Sequence, residues 1–171
     1  MENEKIYPLV IVGAGPAGLS ASIFAQRAGI NALVFEKLVP GGQIITSEKI
    51  ENYPGFTQPI STQELISRMV KQAENLGMHL INEEVERIEG EKEKKVFTSS
   101  GKIFKTCCII IATGAQPLSL GVPGEKELRG KGVSYCATCD APFFRDEVVV
   151  VVGGGNRAVE ETIYLTRFAK K

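Results

Sequence analysis

Apolar and polar positions divide the chain into short elements separated by glycine turns. Residues 7–12 form an apolar run of strand length. A glycine-rich turn follows, then a helical stretch that ends near Ala28, with Gly29 as its stop. Pro16 suits the first helical position, where a missing N–H is not felt. A second apolar run, residues 32–35, ends on Glu36 and completes a βαβ unit. Residues 40–43 and 51–59 read as loops. Ser61-Thr62-Gln63-Glu64 is a capping box. It opens a helix whose apolar positions, Leu65, Ile66, Met69, Val70, Ala73 and Leu76, recur at helical spacing. Gly77 ends that helix, and residues 78–81 return as a strand. Residues 85–89, 95–98 and 103–106 predict an antiparallel meander. Its last strand continues through the apolar run 107–112 until Thr113-Gly114 breaks it.

Glycines and prolines then crowd residues 115–132, the composition of a linker. Beyond it, residues 147–152 predict a second deeply apolar strand and 155–170 the helix after it. Residues 10–18 and 150–158 are alike, which two related nucleotide folds explain better than a solenoid does. The pattern predicts an α/β protein. A Rossmann-like parallel sheet with an antiparallel meander occupies residues 1–116. Part of a second nucleotide-binding domain occupies residues 117–171.

Twenty basic and 20 acidic side chains leave no net charge, and no basic stripe exists to attract nucleic acid. The mixed-sign stretch 89–95 reads as a solvated hairpin tip. The polar residues 1–7 lead into an apolar run too short for a signal-peptide core or a membrane span, which predicts a cytoplasmic protein without membrane association. There, four cysteines point to redox or metal chemistry rather than structural bridges. Cys107 and Cys108 lie in the apolar run and are expected to be buried strand thiols, packing as small hydrophobes. His79 is expected to be a surface or strand residue.

The first glycine loop reads Gly13-Ala14-Gly15-Pro16-Ala17-Gly18, between a strand and a helix. The first glycine allows the tight turn, the second lets backbone N–H groups approach a pyrophosphate, and the third lets helix and strand pack closely. Partial positive charge at the helix N-terminus suits phosphate, and Glu36 is placed to accept a ribose hydroxyl. A glycine turn in an unrelated α/β protein is the competing explanation. The second loop, Gly153-Gly154-Gly155-Asn156-Arg157-Ala158, repeats the device with Ala in the third place. Between the loops lies Cys136-Ala137-Thr138-Cys139-Asp140. A redox dithiol needs two thiols close enough to bond and one prone to ionise. A zinc site would need two further ligands, for which only Cys107, Cys108 and His79 are at hand. Two inert cysteines are the third reading. Asp140 speaks against it, because an acid there could move protons during exchange.

These pieces, with Gly41-Gly42-Gln43, Asn52-Tyr53-Pro54-Gly55 and Ala112-Thr113-Gly114-Ala115, resemble the low-molecular-weight, bacterial-type thioredoxin reductases, in the same order along nearly the whole chain. A dithiol between two nucleotide loops distinguishes that group from glutathione-reductase-like enzymes. The resemblance implies FAD on the first loop, held by Gly13, Ala14, Gly15, Pro16, Ala17 and Gly18, with Glu36 and Lys37 at its adenosine end. Gly41, Gly42, Gln43, Asn52, Ala112, Thr113 and Gly114 would line the flavin side. It implies NADPH, with NADH as the alternative, on Gly153, Gly154, Gly155, Asn156, Arg157 and Ala158. Electrons would pass from NADPH to flavin, to the Cys136–Cys139 disulfide, and on to thioredoxin or a thioredoxin-like protein. Cys139 would be the thiol nearer the flavin, Cys136 the one that attacks the partner, and Asp140 the proton donor. Members are homodimers whose nucleotide domain rotates. The sequence departs from the group at Ala141, where Asp-Gly is usual. It also offers one βα unit of the second nucleotide domain and no returning flavin-contacting segment, so these 171 residues alone are expected to lack reductase activity. A peroxiredoxin-reducing flavoprotein and a non-catalytic FAD- or partner-binding remnant are the alternatives.

Overall fold

The computed structural model describes residues 5–171; Met1–Glu4, part of the polar N-terminal stretch, lie outside them. The chain divides into two compact units, one reaching to Glu51 and including Phe56–Gln116, the other made of Asn52–Gly55 and Pro117–Lys171.

The larger unit is built on a six-stranded sheet. Its strands are β1 (Ile6–Val12), β2 (Ala32–Glu36), β5 (His79–Asn82), β6 (Val85–Glu89), β7 (Lys94–Thr98) and β8 (Ile103–Ile111), in the order β5-β2-β1-β8-β7-β6. The first four in that order run parallel, and β7 and β6 extend the sheet antiparallel. Between β2 and β5 the chain forms a short antiparallel pair, β3 (Lys49–Ile50) and β4 (Ile60–Ser61). Two helices belong to this unit, α1 (Pro16–Arg27) and α2 (Thr62–Asn75). Ser61 Oγ accepts the Glu64 N–H at 3.2 Å, as the capping box requires.

Cross-strand pairing sets the core. Val10 faces Leu33 and Val12 faces Phe35 in register, and these four pack with Val96 into one cluster. Phe104 meets Phe35 edge-on at 5.0 Å. Ile11 and Val34, turned to the opposite face by the two-residue period, are fully buried as well. Burial on both faces explains why β1 and β2 read as apolar runs rather than alternating ones.

Cys107 and Cys108 correct an expectation. Both lie on β8, but both are exposed. The strand pairs with β1 as far as Ile111, whereas β7 accompanies it only through Thr106. Its second half therefore has a strand on one side only among the described residues, and Ile110 and Ile111 are exposed with the thiols.

The smaller unit holds a single helical turn, α3 (Ala137–Asp140), a short 3-10 segment Ala141–Phe144, and α4 (Asn156–Leu165). The strand expected over residues 147–152 is not part of any sheet. The segment's backbone bonds are few: Lys170 N–H donates to the Glu147 carbonyl at 2.9 Å, Val149 N–H to the Lys171 carbonyl at 2.8 Å and Glu147 N–H to the Phe144 carbonyl at 3.2 Å. Val148 and Val150 are 66% and 81% exposed. An apolar sequence supplies the tendency to form a strand, but a strand exists only against a partner. The helix expected to reach residue 170 ends at Leu165, where Thr166 caps it and residues 166–168 turn. Among the described residues no helix is long and apolar enough to cross a membrane.

Candidate active site

The first loop leaves β1 at its C-terminal end, where open parallel sheets bind ligands. Gly13 has φ +103°, which only glycine adopts readily. Its N–H donates to the Phe35 carbonyl at 2.8 Å, and a Cβ there would strike the Ala112 carbonyl oxygen. A Cβ on Gly18 would be driven into the Gly13 carbonyl oxygen. The first and third glycines are thus fixed by packing of the turn against β8 and α1. Gly15 is different: the nearest atom to a Cβ there is the Gly42 Cα at 3.8 Å. Two glycine backbones face each other and leave a cradle that side chains would fill. Gly41 N–H donates to the Ala14 carbonyl at 2.9 Å and fastens the second of these backbones to the first.

Glu36 reaches this loop directly. Its Oε2 accepts the Ala14 N–H at 2.9 Å and its Oε1 the Leu38 N–H at 3.1 Å. Pro16 opens α1, Gly15 is its cap, no side chain caps it, and its first turn carries no acid. The amides of that turn, which include Ala17 and Gly18, have no carboxylate of their own to meet, as a pyrophosphate site requires. Ala112 and Thr113 follow β8 beside Gly13, and Gly114 has φ +67°. Gln43 lies in the 3-10 segment Gly42–Thr46. Lys37 pairs with Glu84 at 3.5 Å. Asn52 belongs to the other unit. Within the larger unit, Gly13, Gly15, Gly18, Gly42 and Glu36 thus meet around one backbone cradle.

In the smaller unit, Cys136 and Cys139 are joined by a disulfide, with their Cα atoms 5.3 Å apart. Cys136 caps α3, and its carbonyl accepts the N–H groups of Cys139 at 3.2 Å and Asp140 at 3.1 Å. The turn thereby carries both bonded cysteines, with Asp140 as its last residue. Among the described residues no group of three or more His, Cys, Asp or Glu is placed to hold a metal ion.

The loop before the disulfide is held by residues the motif did not point to. Ser134 Oγ lies 2.6 Å from Asp140 Oδ2 and accepts the Cys136 N–H at 3.1 Å. Glu125 is only 5% exposed and accepts the N–H groups of Leu120 at 2.8 Å and Gly121 at 2.7 Å, as well as the Tyr135 hydroxyl. The Tyr135 hydroxyl and then these amides hold the Glu125 carboxyl below the usual carboxylate range. The same hydrogen bond raises the Tyr135 phenol. Arg129 lies over the Tyr135 ring at 5.2 Å. Arg157, expected at the second cofactor site, donates to Glu161 at 2.8 Å and to the Tyr135 carbonyl at 2.9 Å. In this structure its guanidinium braces the redox loop. In the sequence, Glu125 sits among charged residues of a linker and looks like any solvated acid. Ser134 alone carried a usable signal, a hydroxyl two residues before a helical turn.

The second loop is open. Gly153 has φ +139°, and Ala158 Cβ lies 3.3 Å from the place of its missing Cβ. Around Gly154 and Gly155 a Cβ would meet nothing within 4 Å. Gly155 caps α4, whose first turn contains Asn156 and Arg157 and no acid.

Comparison with known proteins follows the same lines. The chain is 47% identical over 171 residues to a thioredoxin reductase of Bacillus subtilis, covering all of this chain and 54% of the relative. It is 46% identical to one of Listeria monocytogenes, covering 99% of this chain and 53% of that one. The chain thus spans about half the length of the curated relatives it matches. Among solved structures, thioredoxin reductase from Streptococcus pyogenes superposes with a TM-score of 0.93 at 44% identity, over 99% of this chain and 55% of that one. A family model, pyridine nucleotide-disulphide oxidoreductase, matches residues 7–171, and the chain belongs to that family.

Proposed function

We propose that this chain carries the flavin loop and redox dithiol of a thioredoxin-reductase-type enzyme. Electrons would come from NADPH and pass through FAD and the Cys136–Cys139 pair to thioredoxin or a thioredoxin-like protein. The observation that carries the reading is the Cys136–Cys139 disulfide on one helical turn with Asp140, in a chain whose first glycine loop is enclosed around a backbone cradle. The resemblance further implies a cytoplasmic homodimer. Gly13, Gly15 and Gly18 would admit the FAD pyrophosphate to the backbone, Glu36 would hold the adenosine ribose, and Gly42, Gln43 and Thr113 would line the flavin side. When bound, FAD supplies the means of turning a hydride from the nicotinamide into two electrons for a disulfide. The second loop would receive the NADPH pyrophosphate.

The chain's own residues do the rest. Two electrons and two protons open Cys136–Cys139 to a dithiol. Cys136 gives up its proton and attacks the partner's disulfide as a thiolate, which breaks that bond, releases the first partner thiolate and forms a mixed disulfide. Cys139 attacks Cys136 Sγ, which closes the internal disulfide and frees the second partner thiolate. Asp140 delivers the proton that this leaving group needs.

A steady-state assay with FAD, NADPH and thioredoxin tests this, run on the chain and on the chain joined to the second half of the Bacillus subtilis relative. The joined protein turns over, loses activity with Cys136→Ser or Cys139→Ser, and prefers NADPH to NADH; the chain alone does not turn over. A joined, FAD-loaded protein that reduces no disulfide would overturn the reading.

A further inference from the structure

We propose that Ser134 is the residue that positions Asp140 for proton transfer at the dithiol. The inference rests on the reading of Asp140 as proton donor. A serine hydroxyl has one proton to give, and two acceptors lie within reach of Ser134: Asp140 Oδ2 at 2.6 Å and the Cys136 carbonyl at 3.4 Å. The carboxylate takes it. That contact is shorter and charge-assisted, and the Cys136 carbonyl already accepts two backbone N–H groups. In the other direction Ser134 Oγ accepts the Cys136 N–H at 3.1 Å. A directed chain results, from the N–H of the attacking cysteine, through the serine hydroxyl, to the acid.

Such a chain strengthens along its length, since each bond polarises the next. It also does something the helical turn cannot. Asp140 is the last residue of α3, and the backbone bonds of the turn, from the Cys139 and Asp140 N–H groups to the Cys136 carbonyl, leave its carboxylate unheld. Ser134 ties down one carboxylate oxygen and leaves the other to exchange a proton with the thiols. Its role is to position, not to react.

Proton donation matters only when the leaving thiolate is basic. That separates positioning from mere support of the fold. The reduced chain, with Cys107→Ser and Cys108→Ser to silence the exposed thiols, is reacted with two uncharged disulfides. In each reaction Cys136 Sγ attacks the probe and one thiol leaves. Cys139 Sγ then displaces the second, and the two dithiol protons go to the released sulfur groups where these are basic and to solvent where they are not. Hydroxyethyl disulfide releases a basic alkanethiolate, whereas dipyridyl disulfide releases a thiolate that is stable without a proton.

Ser134→Ala slows release from hydroxyethyl disulfide about tenfold, a partial loss of the roughly hundredfold or more that a well-placed general acid contributes, and changes the dipyridyl rate less than about twofold. Ser134→Thr restores the rate, and Ser134→Ala adds nothing to Asp140→Asn. Equal slowing with both probes, no rescue by threonine, or full slowing on top of Asp140→Asn would overturn the role of Ser134. An Asp140→Asn variant as fast as the parent with both probes would overturn the proton-donor reading itself, and Ser134's role with it. A slow Asp140→Asn beside an unaffected Ser134→Ala would overturn Ser134 alone.

Discussion

The loop at residues 13–18 and the loop at residues 153–158 share a glycine pattern but not its surroundings. In the first, the preceding strand is buried on both faces, with Val10 and Ile11 at 0% exposure. The glycines there are compelled, because Cβ atoms at Gly13 and Gly18 would enter the carbonyl oxygens of Ala112 and Gly13. In the second, the preceding segment is exposed and Gly154 and Gly155 have open space around them. Ala158 occupies the third place without collision. The same letters therefore report two different things. At the first loop they record close packing of turn, strand and helix. At the second they record a backbone able to turn, with open space at Gly154 and Gly155 among the described residues.

Substitutions should break the two loops unequally. Gly18→Ala is expected to cost the larger unit about 3 kcal/mol or more, because the blocking atom is backbone and cannot move aside. Gly154→Ala is expected to change stability by less than about 0.5 kcal/mol. Urea unfolding followed by circular dichroism measures both. If the two costs are similar, enclosure is not what separates the loops.

A smaller effect separates the strand segments. Val10→Ala should cost about 2 kcal/mol through lost burial and the cavity left in the sheet core, whereas Val150→Ala should cost less than about 0.5 kcal/mol. Val150→Lys should reduce self-association of the chain, since an unpaired apolar segment invites pairing. Sedimentation at increasing protein concentration checks it.

The smallest expected effect is in acid. Glu83, in the larger unit, has its pKa lowered from 4.5 to about 2, first by the hydrogen bond from Lys102 and then by those from Thr98 and Ser100. A depressed carboxylate stabilises the folded state above the unfolded value and loses that contribution as pH falls through the folded one. The stability contributed by Glu83 is thus lost between about pH 4.5 and about pH 2. Glu83→Gln should flatten the acid dependence of the larger unit in that window. Glu125 is lowered too, by the Tyr135 hydroxyl first, and Glu125→Gln should flatten that of the smaller unit instead. Unit-specific tyrosine and phenylalanine resonances followed through an acid titration distinguish them. Equal flattening of both units by either variant would contradict the assignment.

Much of the first unit was legible because its sequence signals are local. The apolar runs of β1 and β2, the capping box of α2 and the stop at Gly29 each depend on neighbours in sequence. Cys107 and Cys108 misled because burial of a strand depends on what lies beside it, and β7 ends before reaching them. Residues 147–152 misled for the same reason. The dithiol spacing was plain but left zinc and inert cysteines open, and the structure joins the pair in a disulfide. Glu125, Tyr135 and Ser134 were not plain, because their significance lies in contacts across a glycine-rich linker that has no periodicity to read. Arg157 was read as a cofactor residue by its place in the motif, and only the fold brings it to Glu161 and the Tyr135 carbonyl.

Everything proposed for the first loop depends on its enclosed backbone being a cradle for FAD. Titration of the chain with FAD, followed by quenching of flavin fluorescence, tests it on the parent and on Gly15→Val. That substitution fills the space between Gly15 and Gly42 without entering the core of the turn. Saturable binding is expected of the parent, and none of a variant whose circular dichroism is unchanged. Equal binding by both, or no binding by a folded parent, would contradict it.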